Sequence, residues 1–137
     1  MDLSFQEKSL WVMFLGMLVV FGYYFSMALP TDAVDVMPQH KVLFGVAVAY
    51  LVASQVAGHI LIAIVDPRDE TDERDRLIEL KGTRVGSWVL AVGVFASLCV
   101  AVQTQGNFLF THVLLGSWVL AQLVETGSQL YLYRSGA

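Results

Sequence analysis

Four long apolar stretches, 10–29, 42–65, 85–102 and 108–133, fill most of this 137-residue chain, and only one connection between them is rich in charge. At ~1.5 Å of rise per residue, each reaches across the roughly 30 Å of hydrocarbon in a bilayer. No water is available there, so every backbone N–H and C=O must find a partner within its own segment, and that selects the α-helix. The expected fold is therefore all-α: a polytopic membrane protein of four transmembrane helices forming a single domain over 1–137. Hydrophobic residues make up 56% of the chain and charged residues only 15%, too little charge to cover a soluble domain of this size. The first apolar stretch outruns the ~7–15 residues of a signal-peptide core, so it reads as a retained helix.

Lysine and arginine set the expected orientation. Lys8 precedes the first span, Arg134 follows the fourth, and Arg68, Arg74, Arg76, Lys81 and Arg84 lie between the second and third. The other side has only Lys41, with Asp32 and Asp35 nearby. The positive-inside rule then places both termini and residues 66–84 in the cytoplasm. Trp11, Trp88, Tyr131 and Tyr133 fall at the inner boundary and Tyr23 and Tyr24 near the outer one, as interfacial anchors do.

Within 66–84, Asp66-Pro67 ends the second span, because proline cannot continue a helix. Thr71 then reads as an N-cap, and Glu70–Arg74 and Asp72–Arg76 as acid-first pairs one turn apart. The expectation is a short amphipathic cytoplasmic helix between helices 2 and 3, continuous with the third span or bent at Gly82 or Gly86. The segment lacks the glycine and alternating ligands of a calcium loop. Its mixed charges suit a solvated helix, and Asp72, Glu73, Arg74, Asp75, Arg76 and Glu79 form the candidate surface for a protein partner.

Ionisable groups inside a span are costly and draw attention by default. His59 and Glu125 fall at similar depths in the second and fourth spans, which run in the same direction. Gln55 lies one turn from His59, and Gln122 and Gln129 share the face of Glu125. If those faces meet, Gln55, His59, Gln122, Glu125 and Gln129 form an intramembrane polar cluster. Its structural reading is a hydrogen-bonded pair that fixes helix neighbours, each contact being worth ~0.6–2 kcal/mol. Its functional reading is a proton or ion site. Small residues recur every four positions at Gly45, Ala49, Ala53 and Ala57 and at Gly93, Ser97 and Ala101, stripes that let helices approach closely within the chain or between copies. The six-residue match between 86–91 and 116–121 lies at different depths on opposed helices and carries no repeat.

The exclusions are broad. A net charge of −4 without a basic patch argues against nucleic-acid binding. Cys99 is the only cysteine, which rules out an intrachain disulfide and a thiolate metal cluster. His59 and His112 stand about 20 Å apart in depth and cannot share a haem. His40 and His112 lie near the outer boundary, but their spacing matches no metal-ligand pattern. With no nucleophile–base set or phosphate loop either, the expectation is a non-enzymatic protein without cofactor or metal.

The run Asp72-Glu73-Arg74-Asp75-Arg76-Leu77-Ile78-Glu79-Leu80-Lys81-Gly82-Thr83-Arg84 and the ending Glu125-Thr126-Gly127-Ser128-Gln129-Leu130-Tyr131-Leu132-Tyr133-Arg134 carry a resemblance. Together they resemble a family of small prokaryotic four-helix inner-membrane proteins of unassigned function. That family has an acidic-basic DERD stretch before the third helix and a tyrosine-rich, arginine-tipped end. The resemblance covers roughly the second half of the chain. It implies a four-helix fold in a prokaryotic cytoplasmic membrane. Because some members occur beside small helix-turn-helix regulators, it also implies a regulatory pairing. The functional expectation is a structural, regulatory or accessory membrane protein, alone with lipid, with copies of itself, or with a protein partner. The rival is a proton- or ion-coupled transporter or channel working through His59 and Glu125.

Overall fold

The computed structural model describes residues 3–67 and 71–136. They form four helices: α1 (Phe5–Ala28), α2 (Pro38–Val65), α3 (Glu73–Gln103) and α4 (Phe108–Ser135). All four are long and apolar enough to cross a membrane.

Local chemistry sets the boundaries. Ser4 and Glu7 form a reciprocal capping box that starts α1 about a turn before the apolar stretch. Pro38 opens α2, where its missing N–H costs nothing. Asp72 rather than Thr71 caps α3, exchanging hydrogen bonds with Asp75. The expected Asp72–Arg76 ion pair does not form, because the Asp72 carboxylate is folded back onto the helix N-terminus. The Glu70–Arg74 pair, like Arg68 and Asp69, lies outside the described residues. Gly136, at φ +74°, stops α4 in the left-handed conformation that glycine adopts freely.

No separate short helix stands between α2 and α3 among the described residues. Of the expected arrangements the continuous one is found: from Glu73 onward the charged residues form the first three turns of α3, which runs unbroken for 31 residues. Nothing in Arg84-Val85 breaks a helix, and Gly82 and Gly86 are contact points rather than bends. A Cβ at Gly86 would stand 2.8 Å from Glu125 Cβ and 3.1 Å from the Ala121 carbonyl oxygen. Gly82 meets Gln129 and Gly93 meets Ser117 in the same way, and Ser97 is buried on the same helix. Small residues thus let α3 lie close along α4 over most of its length. Ala101 falls outside that contact and is exposed, as are Gly45, Ala49, Ala53 and Ala57 of α2.

Helices α1 and α4 form the centre, with α2 flanking α1 and α3 flanking α4. The core comes from one face of α1, Met17, Phe21, Tyr24 and Ala28, closed by Ala47 of α2 and Val119 of α4. The most apolar stretch of α2 has none of its residues buried, so most of that helix faces outward. At one end the two hairpin loops are laced together. Asn107 Oδ1 accepts from Val36 N–H, Asp35 Oδ1 from Asn107 N–H, and the Val34 carbonyl from Phe108 N–H. The opposite, charged end carries the Lys8–Asp66 ion pair at 2.9 Å.

Candidate functional site

The five span residues expected to cluster, Gln55, His59, Gln122, Glu125 and Gln129, lie toward the charged end, but on two different seams. On the α1–α2 seam, His59 Nδ1 lies 2.7 Å from the Gln55 carbonyl, which can only accept, so Nδ1 carries the proton. In the neutral ring Nε2 is then an acceptor, and Ser9 Oγ donates to it at 2.7 Å. The Gln55 amide donates to the Val12 carbonyl at 3.1 Å, while its Oε1 is buried without a partner among the described residues. Gly16 and Gly58 leave the room for Gln55 and Val12 to make these contacts.

On the α3–α4 seam, Thr83 Oγ1 donates to Glu125 Oε1 at 2.9 Å. Glu125 therefore lies level with Thr83 and Gly86, at the edge of the charged turns rather than deep among apolar residues. His59 and Glu125 do not bond to each other. Ser9 relates the two seams: it holds His59 and also lines a cavity of about 260 Å³ between α1, α3 and α4. Gln122, Glu125 and Gln129 of α4 and Asp75 and Glu79 of α3 line the same cavity. The five predicted residues are thus divided, three around this vestibule and two behind α1. Toward the other end the path meets the apolar layer of Met17, Phe21 and Val119.

The predicted partner surface is divided as well. Asp72 and Asp75 are occupied in capping, and Asp75 also accepts from the Tyr133 hydroxyl. Arg74 donates to the Tyr133 carbonyl at 3.0 Å and lies over the Tyr133 ring. These contacts clamp the start of α3 to the end of α4. Glu73, Arg76 and Glu79 remain exposed, as do Leu77 and Leu80.

The sequence did not reveal Ser9, Gln6, Thr71 and Tyr133 as members of this site. Gln6 donates to Thr71 Oγ1 at 3.1 Å, joining α1 to the residue just before α3. Such residues on α1 and α4 carry no signal until the antiparallel register of the helices is known. At the loop end, Tyr24 is buried rather than interfacial. His112 Nδ1 faces the Phe108 carbonyl and so is protonated, and Tyr24 donates to Nε2 at 2.8 Å. His40 accepts from Met37 N–H through Nδ1. No group of three metal-ligating side chains converges among the described residues.

No family model matches the chain, and neither curated proteins nor solved structures match it.

Proposed function

We propose that the chain is a small, non-enzymatic integral protein of a prokaryotic cytoplasmic membrane, with both termini and residues 66–84 in the cytoplasm. In this reading it has a structural, regulatory or accessory role and engages a protein partner through the first three turns of α3. The clamped start of α3 is the observation that carries the reading. With Arg74, Asp75 and Tyr133 fixing it to α4, Glu73, Leu77, Leu80 and Arg84 form a rigid exposed stripe at helical spacing. Leucines presented on a preorganised helix between charges suit a helical partner, since little ordering cost remains to be met on binding. Leu77 stands about 12 Å along the axis from Val85, where the apolar stretch begins.

A photo-cross-linker at Leu77 or Leu80 in native membranes tests this. The expected result is a discrete protein adduct that disappears with Arg76→Glu. Lipid adducts alone, or a protein adduct indifferent to that reversal, would remove the proposal. The transporter or channel reading has the vestibule in its favour and the apolar layer at Met17, Phe21 and Val119 against it. Its signature is a liposome proton or ion flux that Glu125→Gln abolishes.

A further inference from the structure

We infer that the vestibule between α1, α3 and α4 is a binding site for a linear aliphatic diamine or polyamine. Among the described residues, three carboxylates line it, Asp75, Glu79 and Glu125, and no lysine or arginine does. None of the three makes an ion pair with a described residue. An acidic lining alone would say little, but Gln129 adds an independent sign. Its side chain lies over Gly82, is only 7% exposed, lines the cavity, and has no hydrogen-bond partner among the described residues. Its amide atoms are not sealed in protein but open onto the cavity, so their hydrogen bonds fall to whatever occupies it. Gln122 faces the same space.

The spacing of the acids selects the cation. Asp75 and Glu79 are one turn apart on α3, and Glu125 is held by Thr83 one turn further on. Each step is therefore about 6 Å along the helix. No three ligating groups converge on one point among the described residues, which disfavours a metal ion. A row of separated negative charges instead suits separated ammonium groups. Two amines joined by a chain of about five single bonds of ~1.5 Å stand roughly 6 Å apart. The cavity volume of about 260 Å³ equals that of eight or nine waters at ~30 Å³ each, enough for such a slender molecule. Leu10 and Met13 offer apolar walls for its methylenes, and the Gln122 and Gln129 oxygens accept the remaining N–H bonds.

The test is calorimetric titration of the full chain in phosphatidylcholine nanodiscs at physiological salt, with spermidine, putrescine, n-butylamine and magnesium chloride. Spermidine and putrescine are expected to bind saturably at one site, with n-butylamine at least about tenfold weaker, since it forgoes one charge-assisted contact. Glu79→Gln and Glu125→Gln should each weaken spermidine by about tenfold or more. Asp32→Asn, the same charge change at the other end, should not alter it. Glu125→Gln keeps an acceptor for Thr83, and Glu79 is exposed, so both variants retain the fold. Three results would each overturn the inference: diamines no tighter than n-butylamine, affinity unmoved by both glutamine variants, or magnesium bound more tightly than spermidine.

Discussion

Replacing Gly86 by alanine tests the idea that α3 and α4 are joined by backbone proximity. The new Cβ would stand 2.8 Å from Glu125 Cβ, against the ~3.5–4.0 Å that two carbons prefer, so α3 must retreat by about 1 Å. The Ala121 carbonyl at 3.1 Å blocks an easy sidestep, because it belongs to helix backbone. Overpacking of this kind costs about 1–3 kcal/mol. Alanine also gains about 1 kcal/mol of helix propensity over glycine, which masks part of the loss. Gly45 supplies the control. It is exposed, nothing lies within 4 Å of its would-be Cβ, and Gly45→Ala receives the propensity gain alone. The difference between the two variants, about 1–3 kcal/mol, isolates the close approach. Reversible unfolding in mixed micelles, followed by circular dichroism, measures it. Equal stability of Gly86→Ala and Gly45→Ala would refute the packing argument.

Two further predictions concern buried polar groups. Tyr24→Phe leaves His112 Nε2 without its donor in a buried site, and should cost about 1–3 kcal/mol. A double-mutant cycle with His112→Phe should show coupling of at least about 0.5 kcal/mol, and simple additivity would exclude the bond. Gln55→Met removes an orphaned acceptor while the Val12 carbonyl keeps its helical partner. Stability should change by less than about 0.5 kcal/mol or rise, and a loss above about 1 kcal/mol in the same unfolding assay would contradict this.

The helices themselves were legible because apolar length is a strong, local signal. Of the stripe Gly93, Ser97 and Ala101, the four-residue spacing found the contact at the first two positions, whereas Ala101 is exposed. Partnerships were harder. Residue counting assigns His59 and Glu125 one depth, yet depth leaves the neighbour open, and Ser9 holds the place that Glu125 was expected to fill. Whether the charged turns continue into the third span or bend away from it stayed open in the sequence, because composition changes at Val85 while no proline intervenes; the structure has them continuous. Tyr24 looked like an interfacial anchor by position, but its hydroxyl is spent on a histidine 88 residues away. Such long-range pairings depend on helix rotation, which periodicity leaves undetermined when nearly every face is apolar.

The lacing of Val34 and Asp35 to Asn107 and Phe108 bears on how the chain matures. Each helical hairpin, α1 with α2 and α3 with α4, is complete in its own seam and separated by few residues, whereas these knots join segments some seventy positions apart. Closing short loops precedes closing long ones, because the entropy lost grows with the distance along the chain. The molecule is thus expected to enter the bilayer as two prefabricated halves, with the clasp between their turns fastening last and fixing how they stand against each other.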